Sequence, residues 1–265
     1  MQAIDTALVM KVVEPIWTTK PETAARLRGR IESVLDWARV RQYRDGENPA
    51  RWRGHLDHLL PAKTKVHKVR HHATLAYAEL AAFVAALRAQ DGVGARALEF
   101  VVLTAARSGE VLGARWSEID TNERIWIVPA VRMKGGREHR VPLSDRALAI
   151  LKDMKTLGRD DFVFPGQRPR RPLGTNALTV LLRKMGRGDL TVHGFRSSFR
   201  DWCAERTSFP SEVAEMSLAH AIGNKVEAAY RRSDLFEKRR RLMDEWARFC
   251  DAPAADAAVI PMRRS

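Results

Sequence analysis

The chain is poor in the residue types on which several protein classes depend. Its two cysteines, Cys203 and Cys250, offer neither a disulfide framework nor the paired spacing of a zinc site, so a reducing cytosol fits. No apolar run is long enough to span a bilayer. There is no glycine-rich phosphate loop and no acidic cluster, which leaves a nucleotide-driven mechanism and a metal-dependent nuclease without support.

Acidic residues are also in the minority. The chain has 46 Lys and Arg against 32 Asp and Glu, which gives a formal net charge of +14. A surplus of this size draws a protein to a polyanion. An anionic membrane surface would also suit it, but we expect nucleic acid and no membrane partner. With 45% hydrophobic residues and seven tryptophans, the chain can bury a substantial core.

Apolar periodicity predicts a mainly α-helical fold with a small antiparallel β-sheet. The helical spacing predicts helices over residues 20–39, 52–60, 77–90, 93–106, 145–156, 174–185, 195–205, 212–218, 225–232 and 235–250. A β-prone run at 125–128, a turn at 133–136 and a returning run at 139–143 predict a hairpin.

The basic segment 61–72 marks a domain boundary because it contains no acid. It is either a solvated linker or a linker that also follows the DNA backbone, since phosphate contact needs only positive charge in the right place. The boundary predicts a small helical module over 1–60, a catalytic domain over 73–250 and a flexible tail over 251–265.

Arginine and histidine recur in an order that suits phosphate chemistry. Arg107 stands at the end of an apolar helix, and Glu110 comes three residues later. Taken alone, an arginine at a helix C-terminus is more often a partner of the helix dipole than a catalyst. His193 and Arg196 are three apart, so at a helix start their side chains can converge on one ligand. A guanidinium grips two phosphate oxygens, and a histidine exchanges protons near neutral pH.

Lys134 stands at the tip of the predicted hairpin, next to two glycines. It is either a solvated turn lysine or a cation that swings against a leaving oxygen. Arg132 and Arg137 are nearby rivals for the second role.

The order closes with a histidine and a tyrosine. His220 alone would usually be a capping or core residue. Of the three tyrosines in the chain, Tyr43 and Tyr77 precede Arg107, so Tyr230 is the one that follows it. A tyrosine hydroxyl next to phosphate-binding cations can act as a nucleophile.

This set, in this order, resembles the tyrosine recombinases, specifically the integrases of phages and integrative elements. The resemblance covers roughly residues 20–250. It implies a helical core-binding domain and a catalytic domain with a small sheet, which together clamp double-stranded DNA. It also implies a DNA-dependent homo-oligomer, a tetramer on two sites.

The resemblance further implies a role for each residue of the set. The implied catalytic residues are Arg107, Lys134, His193, Arg196, His220 and Tyr230, with Glu110 orienting Arg107. The tyrosine would attack the scissile phosphate and release a 5′-hydroxyl, leaving a 3′-phosphotyrosyl bond. That bond keeps the phosphodiester energy and the arginines supply positive charge, so no ATP, metal or other cofactor is expected.

Two rival functions and one truncation stay open at this point. A type IB topoisomerase shares this chemistry on a single duplex, and a DNA-binding fragment could keep the fold with weakened catalysis. In the integrases that the chain resembles, further segments precede a stretch like 19–39, whereas about eighteen residues precede it here. The sequence therefore predicts an N-terminally shortened integrase with a partial core-binding domain over 1–60.

Overall fold

A computed structural model of the chain describes residues 1–62, 74–157, 161–220 and 233–252. The chain divides into two compact units, Met1–His71 and His72–Ser265, and each unit has a hydrophobic core. The α-helices are α1 (Thr6–Trp17), α2 (Pro21–Val40), α3 (Leu80–Arg88), α4 (Val93–Thr104), α5 (Ser108–Leu112), α6 (Asp145–Thr156), α7 (Ala177–Lys184), α8 (Gly194–Arg206), α9 (Ser211–Ser217) and α10 (Phe236–Asp251). The strands are β1 (Ile119–Asp120), β2 (Ile125–Val128) and β3 (His139–Pro142).

The first unit opens with α1, a helix absent from the sequence-based prediction. The Asp5 carboxylate caps it by accepting a hydrogen bond from the Leu8 N–H at 2.9 Å, as N-cap residues do. Val9, Val13 and Trp17 recur every four residues and are buried, so they form the face that packs into the core.

The predicted helix over 52–60 is wrong for most of its length. A single 3-10 turn, Leu56–His58, lies there. The Asp57 carboxylate accepts hydrogen bonds from the backbone N–H groups of Gly54 and His55 at 3.1 and 3.0 Å, a local arrangement that competes with an α-helix. Trp52 stacks on Trp17 with ring centroids 5.3 Å apart, which ties the segment to α1.

The strands of the second unit form a three-stranded antiparallel sheet in the order β1-β2-β3. In the predicted hairpin, Ile125 pairs with Pro142 and Val128 pairs with His139. The short edge strand β1 was not predicted, because two residues are too few to set up a period. The mainly α class with a small antiparallel sheet is confirmed.

Helix α4 lies at the centre of the second unit. Nine of its twelve residues are buried, including Glu99, whose carboxylate accepts hydrogen bonds from Arg88 at 2.6 Å and from Arg146 at 2.7 and 2.9 Å. A buried carboxylate needs such partners to offset its lost hydration. The C-terminal end of α4 leads directly into the candidate site.

Several predicted elements fall outside the described residues. They are the helix over 225–232, most of the linker over 61–72 and the tail beyond residue 252. Within the described residues, no helix is long and apolar enough to cross a membrane.

Candidate active site

A pocket of about 450 Å³ opens between α5, the turn before β3 and the start of α8. It brings together five of the seven residues of the predicted site. Its wall comprises Arg107, Ser108, Gly109, Glu110, Arg132, Met133, Lys134, Val192, His193 and Arg196. One acid stands against three arginines and a lysine in this wall, so the pocket suits an anion.

Arg107 occupies a different local position from the predicted one. Helix α4 already ends at Thr104, because Ala105 adopts the left-handed conformation with φ 49°. Arg107 is extended and is the N-cap of α5. Glu110 Oε2 accepts a hydrogen bond from the Arg107 N–H at 2.9 Å, and Glu110 Oε1 accepts one from Arg107 Nη1 at 2.8 Å. The glutamate is 4% exposed, so it holds both the backbone and the head of the arginine.

Lys134 and Arg132 approach the pocket from the turn before β3. Arg132 Nη2 donates to the Glu110 carbonyl at 2.9 Å and lies 3.1 Å from Glu118 Oε2. Those contacts tie Arg132 to the framework, whereas Lys134 is an exposed residue of the pocket wall. Arg137, the other rival, does not line this pocket.

Arg196 is the most deeply placed cation of the site. It is 4% exposed, and it donates from Nη1 to the Ala105 carbonyl and from Nη2 to the Leu218 carbonyl, the latter at 2.6 Å. These two carbonyls belong to the C-terminal ends of α4 and α9, which carry partial negative charge. Burial, followed by the repulsion of Arg107, lowers the pKa of Arg196 to about 10, so it stays cationic at neutral pH.

His193 lies at the N-terminal end of α8 and lines the pocket. Its carbonyl accepts the Arg196 N–H at 3.1 Å, so the first turn of α8 carries both residues. His193 and Arg196 both line the pocket, so the structure brings these two predicted residues together.

His220 reaches Arg196 from the end of α9. Ala219 is left-handed with φ 49°; its N–H donates to the Met216 carbonyl, and the His220 N–H donates to the Glu215 carbonyl at 3.0 Å. This double closure is a Schellman motif, which turns the chain back over the last helical turn. His220 Nε2 lies 3.1 Å from Arg196 Nη2, and its Nδ1 lies 2.7 Å from Glu215 Oε2.

His139, at the start of β3, was predicted only as a strand residue. Burial, then the positive charges of Arg239, Arg107 and Arg196, lower its pKa to about 4 against a hydrogen bond with the Ser217 backbone. The two pocket arginines therefore act on His139 electrostatically, and it is neutral at pH 7. Its alternation in a strand gave no signal that it would lie near the site.

Tyr230, the predicted nucleophile, lies outside the described residues. Of the predicted site, the structure brings Arg107, Glu110, Lys134, His193 and Arg196 into one pocket wall and sets His220 against Arg196. Within the described part of the chain, no cluster of three metal-ligating side chains is present.

Two family models match the chain. The model described as the phage integrase family matches residues 73–235, and the model of the phage integrase central domain matches residues 1–55. The larger match covers the small sheet and all the residues that line the pocket. The chain belongs to the phage integrase family of tyrosine recombinases.

Individual relatives extend over different shares of the chain. Prophage integrase IntA of Escherichia coli is 42% identical over 162 residues, which is 60% of this chain and 39% of the relative. The integrase of enterobacteria phage P4 is 31% identical over 252 residues, 88% of this chain and 56% of the relative. The chain thus spans about half the length of the relatives that it matches.

Solved structures share the fold at low identity. A lambda integrase dimer bound to a core site has a TM-score of 0.59 and 19% identity, covering 88% of this chain and 81% of that one. The Tn1549 transposon integrase in complex with circular intermediate DNA has a TM-score of 0.60 and 12% identity, covering 91% of this chain and 85% of that one.

Proposed function

We propose that the chain is a site-specific DNA recombinase, an integrase that cleaves and rejoins strands of double-stranded DNA through a 3′-phosphotyrosyl intermediate at Tyr230. The observation that carries the proposal is the convergence of Arg107, Lys134, His193 and Arg196 on one pocket. Glu110, the one acid in the pocket wall, hydrogen-bonds to Arg107. Three arginines and a lysine stand against this one acid, so the wall keeps a net positive charge.

The reaction follows from the chemistry of these groups. The Tyr230 hydroxyl oxygen attacks the scissile phosphorus as the bond to the 5′ oxygen breaks. His193 takes the tyrosine proton and Lys134 gives a proton to the leaving 5′ oxygen. Arg107 and Arg196 stabilise the charge that builds on the phosphoryl oxygens, and His220 contributes through its contact with Arg196. A 5′-hydroxyl from a second duplex then attacks the phosphorus of the phosphotyrosine; the bond to the Tyr230 oxygen breaks, the hydroxyl gives up its proton and the tyrosine regains one. One ester bond replaces another at each step, so no ATP is consumed, and the arginines supply the charge that a metal would supply elsewhere.

DNA is the proposed partner, and assembly on DNA is part of the proposal. The net charge of +14 supplies non-specific attraction to the duplex. Lambda integrase has been solved as a dimer on a core site and as a tetramer on a Holliday junction, and we extend a DNA-dependent tetramer on two sites to this chain. Residues 1–60 would form one half of the clamp, and 61–72 its basic linker.

The deciding experiment traps the covalent intermediate. A suicide duplex with a nick beside the scissile phosphate loses its 5′-hydroxyl fragment after cleavage, so the adduct accumulates. Tyr230→Phe should abolish the adduct and leave DNA affinity nearly unchanged, because the substitution removes one hydroxyl and no positive charge. The matched controls Tyr43→Phe and Tyr77→Phe should still form it. An adduct in the Tyr230→Phe variant, or one that maps to either control tyrosine, would overturn the assignment.

The same preparation separates recombination from topoisomerase activity. A recombinase joins strands of two attachment-site duplexes, whereas a type IB topoisomerase relaxes a supercoiled plasmid that lacks such a site. We expect strand exchange between site-bearing duplexes. Relaxation without any exchange would favour the topoisomerase function instead.

A further inference from the structure

The Glu215 carboxylate on α9 contacts His220 and Arg200, and nothing in the sequence indicated a role for it. Its Oε2 lies 2.7 Å from His220 Nδ1, and its Oε1 lies 2.6 Å from Arg200 Nε. The side chains of Glu215 and His220 are 28% and 38% exposed, whereas that of Arg200 is 64% exposed. The histidine contact is therefore the more sheltered of the two.

The two contacts of the His220 ring require the same protonation pattern. An ionised carboxylate only accepts hydrogen bonds, so the contact with Glu215 places a proton on Nδ1. A guanidinium only donates, so the contact with Arg196 requires the lone pair of Nε2. Both conditions are met by one neutral tautomer. Burial raises the pKa of Glu215, but the hydrogen bonds from His220 and Arg200 outweigh it and leave that pKa below its ordinary value, so the carboxylate is ionised at neutral pH.

The backbone conformation at the end of α9 places Glu215 and His220 next to each other. In the Schellman motif at the end of α9, the N–H of the residue after the left-handed position donates to the carbonyl of the residue five places earlier. The side chains at these two positions are usually an apolar pair in contact. Here the two positions hold Glu215 and His220. The same motif exposes the Leu218 carbonyl to Arg196, so one turn presents both an oxygen and a ring nitrogen to the same guanidinium.

We propose that Glu215 is a positioning residue for His220, which fixes the orientation of the ring and its Nδ1–H tautomer and so sets Nε2 against Arg196. Its catalytic consequence rests on the proposed function, because it acts through His220 on Arg196, which we place at the scissile phosphate. Without the carboxylate the ring can flip or change tautomer, and Arg196 loses an acceptor. A carboxylate behind a histidine does the same work in hydrolytic triads, where its loss leaves the wrong tautomer.

The first test needs no enzymatic activity. Two-bond ¹⁵N–¹H correlation spectra distinguish the Nδ1–H and Nε2–H forms of a histidine, and the His220 signals are assigned as those missing in His220→Gln. We expect the Nδ1–H form in the wild-type chain and a mixture in Glu215→Ala. Glu215→Gln should restore the Nδ1–H form, because its amide oxygen can accept from Nδ1. A wild-type Nε2–H form, or an unchanged spectrum in Glu215→Ala, would refute the proposal.

The second test is a double-mutant cycle on the single-turnover cleavage rate at saturating suicide duplex. We expect Glu215→Ala to slow cleavage on the scale of the ~10–100-fold that loss of a carboxylate partner costs a metal-bound histidine. Glu215→Gln should recover most of the rate. Arg200→Ala, which removes the other partner of the same carboxylate, should cleave at nearly the wild-type rate.

The cycle distinguishes positioning from a structural role. If Glu215 acts through His220, adding Glu215→Ala to His220→Ala costs nothing further. An equal loss in both backgrounds would show that the glutamate supports the fold alone and would overturn the inference. Failure of the wild-type chain to form a Tyr230-dependent adduct would instead remove the proposed function, and the tautomer spectrum would still decide the role of Glu215.

Discussion

At the scale of single residues, the cations of the site differ in whether their hydrogen-bond partners are charged or neutral. Arg107 is 25% exposed at its side chain and is paired with the buried Glu110 at 2.8 Å. Arg196 has no carboxylate hydrogen bond among the described residues and is held by carbonyl oxygens. A guanidinium held by neutral acceptors keeps its full charge for an incoming anion, whereas one paired with a carboxylate is partly neutralised. We therefore expect the two arginines to contribute unequally if a phosphate occupies the pocket.

His139 gives this charge arrangement a pH dependence. Its folded pKa of about 4 lies below the ordinary 6.5, so below pH 6.5 the unfolded chain binds more protons than the folded one. The free energy of unfolding should thus fall as the pH drops from about 6.5 to 4, and His139 should account for on the order of 3 kcal/mol of that fall. Above pH 6.5 the protonation of His139 should make no contribution.

Urea denaturation at a series of pH values measures the effect. His139→Asn, which keeps a donor for the Ser217 backbone, should flatten the acid slope relative to the wild type. Val131→Ala is the control for substitution itself, because the Val131 side chain is 93% exposed and carries no titratable group, so the acid slope should stay at the wild-type value. Identical acid slopes for wild type and His139→Asn would contradict the prediction.

The site residues were predictable from the sequence to the extent that their order is distinctive. An arginine followed by a glutamate, a hairpin lysine and a histidine three residues before an arginine are linear signals. Glu215 and His139 gave no such signal. A spacing of five brings two side chains together only after a Schellman closure, and a strand residue meets α9 only through tertiary packing.

At the scale of elements, local conformation at helix ends decides where the cations lie. The left-handed residue Ala105 ends α4, and the left-handed residue Ala219 sets the direction of the chain after α9. Neither is a glycine, so the sequence offered no stop signal at either point. This is why the predicted helix over 93–106 runs two residues too far and why Arg107 was assigned to a helix end instead of an N-cap.

Helix α1 was missed for a related reason. Pro15 lies inside it, and an interior proline removes a backbone donor and argues against a helix. The four-residue spacing of Val9, Val13 and Trp17 was the stronger signal. By contrast, the predicted helix over 145–156 matches α6 residue for residue, because Ser144 caps it and its apolar spacing is unbroken.

Arg196 should act on stability as a link between elements. It joins the ends of α4 and α9, and each charge-assisted hydrogen bond contributes about 1.5–3 kcal/mol. Arg196→Ala should therefore lower the free energy of unfolding by several kcal/mol and slow cleavage as well. Arg196→Lys should recover little of either, because one ammonium cannot match a planar fork.

Arg107→Ala provides the comparison. Its side chain is partly exposed and pairs with its own helix, so it should slow cleavage by about 10²–10³-fold, as the loss of one electrostatic donor does, with a smaller loss of stability. Urea denaturation and single-turnover cleavage on the same preparations give both quantities. Equal destabilisation by the two alanine variants would show that Arg196 does not link the helix ends.

At the scale of the whole molecule, we expect the surplus of positive charge to govern the proposed binding to DNA. Each neutralised phosphate releases counterions, so the logarithm of the association constant falls with the logarithm of the salt concentration by about 0.9 per contact. If the chain contacts six or more phosphates of a core-site duplex, its affinity should fall by about 10³-fold or more between 50 and 200 mM salt. Fluorescence anisotropy with a labelled duplex measures this slope.

One variant tests whether the pocket contributes to that slope. Lys134 is exposed in the pocket wall, so Lys134→Ala should reduce the slope by about 1, as expected for one lost phosphate contact. Val131→Ala is the matched control from the same segment, because Val131 is 93% exposed and carries no charge. A wild-type slope near zero would contradict DNA as the partner of the basic surface. An unchanged slope in Lys134→Ala would show that the lysine touches no phosphate in the bound state and acts, if at all, only after cleavage begins.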